Sequence, residues 1–326
     1  MLDQALISVL TLGGTISMTG ESGVRATLGA EALLEAVPQL TYGPPVRARS
    51  LLQIPGSNIS FANLDMVAAE VRSELSTGST GVVVVQGTDT LEETGFALDI
   101  LLSDIESPII ITGAMRNPML AGHDGPANIF AAVRSAASPA MASRGVTVIM
   151  NDTIHAACRV QKRHASRTDA FTSSPHGPLG WFQEGEPVTI DNSRIVFSVP
   201  GEGARKVRVP LMVATLDPDV AVWEAVIASN IDGLVVAGFG VGHVSEILAP
   251  LLIEASTTIP IVLATRTAGG SVHTHTYGFE GSERHLLGAG LLSAGWLDPL
   301  KARILMTLAL RRGIRDLSDT FAPAQP

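Results

Sequence analysis

Seven short apolar runs constrain this chain more than any other feature: ALISVLTL, GVVVVQ, SPIIITG and GVTVIMN in its first half, VPLMVATL, IDGLVVAGF and TIPIVLATR in its second. A strand with one face in water alternates apolar and polar residues. A strand that is apolar throughout is covered on both faces, as in a parallel sheet flanked by helices. The segments FANLDMVAAEVRSELS, NIFAAVRSAASPAMAS, DVAVWEAVIASN and VSEILAPLLIEAS carry apolar residues at spacings of three and four, which suits crossover helices. The expected fold class is α/β, a doubly wound and mostly parallel sheet.

At 326 residues the chain is long for one core, and two domains are expected. The pattern breaks between residues 165 and 209, where glycine and proline are dense and the text reads as hairpins and loop. The expected division is a larger N-terminal domain over 1–195, a linker over 196–209 and a smaller C-terminal domain over 210–326. The closing DTFAPAQP reads as a frayed tail. A formal net charge of −9 with 16% charged residues supplies no basic stripe, so nucleic acid is not an expected partner. Cys158 is the single cysteine and reads as a small buried hydrophobe, without disulfide or thiolate metal site. MLDQALISVL lacks the basic segment and cleavage site of a secretory signal, and no apolar stretch reaches about 18 residues. A soluble cytoplasmic protein without membrane contact is the expectation.

In an open parallel sheet the ligand crevice lies beyond the carboxyl ends of the strands. Two runs end there on glycine and threonine: Gly13, Gly14 and Thr15 in LTLGGTIS, and Gly87, Thr88, Asp89 and Thr90 in VVQGTDTLEE. Glycine lets the chain turn sharply and approach a ligand. The plainer reading is ordinary turn and cap chemistry, which uses the same residue types. Neither the Gly-x-Gly-x-x-Gly spacing of a dinucleotide site nor a phosphate loop is present, so no nicotinamide or nucleotide cofactor is expected. His273 and His275 in VHTHT would share one side of a strand, but two ligands are too few for a metal, and a polar loop is the simpler reading.

Taken with TGAMRNPMLAGHDGPANIFAAV, DTIHAACRVQK, SPHGPLG, GFGVGH, LATRTAGG and LDPLKARILMTLAL, the two glycine-threonine turns make nearly the whole chain resemble, in order, the bacterial-type L-asparaginase/glutaminase family. The resemblance implies a cofactor-free amidohydrolase acting on a small carboxamide, L-asparagine first, through an acyl-threonine. It also implies a smaller flavodoxin-like C-terminal α/β domain that contributes to the neighbouring active site, and a homotetramer built as a dimer of dimers. By position, Thr15 matches the nucleophile, Thr88 and Asp89 the second turn, and Lys162 the catalytic lysine, although VQKRHASR alone reads as a solvated basic surface. Gly14 and Gly87 shape the turns. Ser57 and Asn58 match the segment that holds the substrate carboxylate, and the Ala114 carbonyl the acceptor for the leaving nitrogen. The Thr88 N–H is the expected oxyanion donor.

Four departures stand out. The lid stretch MTGESGVRATLGAEALL contains no tyrosine, and Tyr42 and Tyr277 are the only two in the chain; either Tyr277 enters from another loop or the lid closes without a phenol. Asn58 stands where the family has glutamine, and His243 where it has the asparagine that serves the neighbouring site. For the neighbour-supplied glutamate, Glu280 and Glu283 compete. These departures leave open a different amide or lactam, or a ligand-binding homologue without catalysis.

Overall fold

The computed structural model describes residues 5–14, 18–19, 25–26, 30–191, 193–201, 203 and 205–325. The chain divides into two compact units, Met1–Val196 and Phe197–Pro326.

In chain order the first unit contains β1 (Ile7–Thr11), β2 (Met18–Thr19), β3 (Arg25–Ala26), α1 (Ala30–Glu35), β4 (Val46–Ser50), α2 (Phe61–Ser76), β5 (Gly81–Val85), α3 (Leu91–Leu101), β6 (Ile109–Thr112), α4 (Gly125–Ala136) and β7 (Val146–Met150). It continues with β8 (Thr153–Ala156), β9 (Gln161–Lys162), β10 (Phe171–Thr172), β11 (Gly180–Gln183) and β12 (Glu186–Thr189). Eight strands form one sheet in the order β12-β11-β8-β7-β6-β5-β1-β4. β4, β1, β5, β6 and β7 run parallel, and β1, β5, β6 and β7 are buried at every position. Alternate residues of these strands feed two cores. Leu10, Val84, Ile111 and Val148 pack with α2 and α3 residues such as Val71 and Leu98, while Val9, Val85, Ile110 and Ile149 pack with α4 residues such as Ile129 and Val133. That is why the runs read as continuously apolar.

Beyond β7 the expected parallel order stops. Asn151 and Asp152 adopt φ of 51° and 58°, turning the chain straight back into β8, which pairs antiparallel with β7; β11 and β12 extend the sheet antiparallel. Asparagine and aspartate tolerate that left-handed geometry better than other side chains, so a two-residue hairpin replaces a crossover helix. Cys158 is buried and forms no disulfide.

The second unit contains β13 (Leu211–Val213), α5 (Val220–Ile227), β14 (Leu234–Gly238), α6 (Ala249–Ser256), β15 (Ile261–Thr265), α7 (Glu283–Gly288), β16 (Leu292–Ser293), α8 (Pro299–Arg311) and α9 (Ser318–Phe321). Its four strands are parallel and in sequential order. Leu234, Val236 and Leu263 share a core with Trp223, Leu252 and Leu286, and α8 packs against β13, β14 and β15. Residues 197–209 form no helix or strand where described, but group with this unit: Phe197 is buried edge-on against Trp296, and Arg205 bonds the Leu310 carbonyl and Asp232. The expected frayed tail is packed instead. Phe321 and Ala324 are buried, the Ala324 carbonyl accepts from the Trp296 N–H, and the Gln325 amide reaches Ser293. Apolar spacing in so short a segment carries no sign of that docking. Among the described residues no helix is long and apolar enough to cross a membrane.

Candidate active site

At the carboxyl ends of β1 and β5 three backbone turns press together. Gly14 (φ +92°) follows β1, and a Cβ on it would lie 2.1 Å from the Gly87 backbone; Gly87 in turn has Gly14 Cα and the Gly56 backbone about it. Only glycine permits both the left-handed dihedral and the approach. The strand after β1 in the sheet delivers the third turn: Leu51 and Leu52 bond the Thr11 carbonyl and Ile54 bonds that of Leu12, so the chain from β4 runs alongside β1 into the short turn Gly56–Asn58. The Thr90 hydroxyl locks that turn to the next by donating to the Gly56 carbonyl at 2.8 Å. Ser57 and Asn58 are therefore exposed beside Asp89.

Thr88 is buried, and its Oγ1 accepts from Lys162 Nζ at 2.9 Å. Lys162 Nζ also lies 3.5 Å from Asp89 Oδ1. The Lys162 side chain is 17% exposed and that of Asp89 64%, so the hydroxyl sits inside, the ammonium covers it and the carboxylate stands at the rim. A pair as open as Lys162–Asp89 stabilises the fold by little, at most about 1 kcal/mol. What it fixes is the aim of the ammonium. Lys162 belongs to β9, which pairs with β10 for two residues, Lys162 opposite Phe171. Thr15 lies outside the described residues, as do residues 20–24 and 27–29 of the lid stretch.

The turn after β6 borders this cluster, since a Cβ on Gly113 would meet the Gln86 carbonyl at 2.5 Å. Ala114 is buried there. Asp124, at the start of α4, accepts from the N–H groups of Met115 (3.0 Å) and Arg116 (2.9 Å). Asn128 donates to the Gly113 carbonyl at 3.0 Å and to Asp124 at 3.1 Å, and accepts from the Asn151 N–H at 3.0 Å. Sequence reasoning assigned Asp124 and Asn128 no role. Their signal was a carboxylate and a buried amide four residues apart at the head of an apolar helix, which fits a turn clamp better than a cap.

His243 and Glu283 belong to the second unit. His243 Nε2 lies 3.0 Å from Glu283 Oε2, while Oε1 accepts from the N–H groups of Thr276 (3.1 Å) and Tyr277 (2.8 Å). The imidazole meets Tyr277 and Phe279 edge to face, with centroids 4.9 and 5.0 Å away. Glu283, expected to bind substrate, has a side chain 0% exposed within this unit. Burial pushes its carboxyl upward, but the backbone N–H groups of Tyr277 and of Glu283 itself, with His243, outweigh this and hold it below the usual range. Glu280 is exposed. The VHTHT segment is loop, not strand, because Glu283 gathers the Thr276 and Tyr277 N–H groups and His273 Nδ1 faces the Thr276 hydroxyl. Among the described residues no group of three or more His, Cys, Asp or Glu could hold a metal.

Two family models cover the chain: "Asparaginase, N-terminal" matches residues 6–195 and "Glutaminase/Asparaginase C-terminal domain" matches residues 208–319. L-asparaginase 2 of Escherichia coli is 31% identical over 317 residues, covering 93% of this chain and 88% of that protein. A probable periplasmic L-asparaginase of Haemophilus influenzae is 29% identical over 323 residues, 93% of this chain and 88% of its own length. The crystal structure of a probable cytoplasmic L-asparaginase from Campylobacter jejuni superposes with a TM-score of 0.86 at 26% identity, over 97% of this chain and 99% of that one.

Proposed function

Because the chain belongs to the asparaginase/glutaminase family and is an amidohydrolase, we propose that it hydrolyses a small carboxamide, L-asparagine first, to the acid and ammonia through an ester on Thr15. The observation that carries this reading is the contact of Lys162 Nζ with Thr88 Oγ1, beside Asp89, on a turn packed against Gly14.

In this reading the Thr15 hydroxyl attacks the amide carbon, and the oxyanion is met by the Thr88 N–H. The hydroxyl proton passes along the Thr88–Lys162 contact and then to the departing nitrogen, which leaves as ammonia under the Ala114 carbonyl. Water activated by the same pair cleaves the ester, releasing the acid and restoring Thr15. Ser57, Asn58 and the exposed Asp89 carboxylate hold the substrate's carboxylate and ammonium. No step calls for a cofactor. A homotetramer of paired dimers, with the second unit serving a neighbouring site, completes the reading, as does residence in the cytoplasm. The similarity to a probable cytoplasmic L-asparaginase of Campylobacter jejuni supports that location, and the probable periplasmic Haemophilus relative argues for testing it by cell fractionation.

The burial of Glu283 favours a second reading, an amide or lactam without an α-amino group, because three donors already occupy the acid that would greet an ammonium. Turnover of L-asparagine, L-glutamine and their D-enantiomers, read as ammonia, against turnover of N-substituted amides and lactams, read as the freed amine, separates the two. Thr15→Ala should abolish turnover, remove the acyl adduct from the intact-mass spectrum and spare ligand binding. Undiminished turnover would refute the nucleophile, and binding without turnover in the wild type would mark a non-catalytic homologue.

A further inference from the structure

We propose that His155 is a positioning residue for Lys162, acting through the hydroxyl of Ser173; the inference rests on the reading of Lys162 as the proton-handling group. Lys162 stands on a short two-stranded ladder separate from the main sheet of the first unit. β9 and β10 pair for two residues each, and so short a ribbon has little stability alone. Val160, Ala170 and Phe171 press it onto the core beside Val148. Apolar packing of that kind is non-directional and resists lifting more than sliding. Direction comes from a polar tie at the end of β10. Ser173, the residue after Thr172, is buried, and its Oγ lies 2.7 Å from His155 Nδ1.

His155 sits on β8 opposite Val148, within the eight-stranded sheet, so the tie joins the lysine-bearing ribbon to the rigid part of the unit. The imidazole is an expensive choice there. It is buried, and its Nε2 has no hydrogen-bond partner among the described residues. A leucine would fill similar space without an unsatisfied nitrogen, so what the histidine adds is the bond at Nδ1. Burial lowers the imidazole pKa to about 4, which keeps the ring neutral at ordinary pH and rules it out as a titrating partner of the substrate. From Nδ1 the path runs through Ser173, β10 and β9 to Lys162 Nζ and the Thr88 hydroxyl.

The test compares kcat and KM for ammonia release in the full chain, well below each variant's melting temperature, for His155→Leu, Ser173→Ala, the double variant, His155→Asn, His155→Gln and Lys162→Met. Misplacing a catalytic group by a fraction of an ångström to about 1 Å costs up to about a hundredfold, so His155→Leu and Ser173→Ala should each lower kcat at least about tenfold with KM within about twofold. The double variant should be no worse than the worse single one, because both cut one path. Asparagine places its amide where Nδ1 stood and should recover most of the rate; glutamine, which reaches towards Nε2, should not. Wild-type kcat in Ser173→Ala or in folded His155→Leu, with only the melting temperature lowered, overturns the positioning role even if Lys162→Met is inactive. Wild-type kcat in Lys162→Met overturns instead the reading of Lys162 on which it rests. If His155→Leu does not fold, Ser173→Ala, which loses a single hydroxyl, decides the matter.

Discussion

The turns that end β5 and β14 follow the same kind of fully buried parallel strand, yet they are held by different means. At β5, the backbones of Gly14, Gly56 and Gly87 touch, and the Thr90 hydroxyl ties one of these turns to the next. At β14, the chain passes through Gly240 and Gly242 to His243, whose ring is steadied by the Glu283 carboxylate and two aromatic edges. Backbone-on-backbone packing tolerates no substitution and almost no motion. A carboxylate gathering N–H groups from a loop can be weakened by degrees.

Gly14→Ala is the severest way to break that contrast. Its methyl would lie 2.1 Å from the Gly87 backbone at a dihedral alanine rarely adopts, with no flexible side chain to give way. The expected result is a loss above about 4 kcal/mol and no measurable ammonia release. A folded Gly14→Ala enzyme of ordinary turnover, measured by circular dichroism and ammonia assay, would show that the turns do not need their present contact. Glu283→Ala tests the other side. It strands His243 and the N–H groups of Thr276 and Tyr277, at a cost of about 3 kcal/mol, less where water reaches the loop. Chymotryptic cleavage after Tyr277 or Phe279, both exposed, should accelerate, and Glu283→Gln should restore part of the protection. Unchanged cleavage in Glu283→Ala would mean the aromatic contacts alone hold the loop.

How far these features were legible in the sequence follows the same division. Every parallel core strand was readable because burial on both faces writes itself as an unbroken apolar run, and α2 was readable from Phe61 to Ser76 because its spacing is regular and Ser60 caps it. The edge strand β4, VRARS, and the reversal at Asn151–Asp152 were not read, since a charged edge and a two-residue turn leave little periodicity. Thr88 and Asp89 announce themselves by a glycine turn after a strand. Lys162 does not: among Arg163, His164 and Arg167 it looks like solvated surface, and resemblance alone singled it out. The clamps Asn128 to Asn151 and His155 to Ser173 join residues 23 and 18 apart, across elements whose adjacency only the folded sheet creates.

The smallest effect concerns two buried carboxylates, and it separates the units by pH. Glu283 collects donors and is held low, so its contribution is present above its unfolded value near 4.5 and is lost only as pH falls below it. Asp99, on α3, has the Val146 N–H at 2.9 Å and Arg194 no nearer than 3.9 Å. Burial therefore wins and raises its pKa from 3.8 to about 6. A raised acid favours the folded state while protonated, so this contribution is full below about pH 4 and is lost as pH climbs through about 6. His155 acts oppositely in the same window: depressed from 6.5 to about 4, it costs stability as pH falls between those values. In the wild type the Asp99 and His155 slopes oppose one another between about pH 4 and 6, and His176, also lowered by burial, adds to the His155 side. Asp99→Asn keeps an acceptor for the Val146 N–H and removes one of the slopes. Its stability, followed by urea unfolding at a series of pH values, should fall by about 2 to 3 kcal/mol relative to wild type from pH 6.5 to pH 4. Parallel curves for the two proteins would mean that Asp99 is ionised in the folded enzyme throughout, with Arg194 compensating its burial after all.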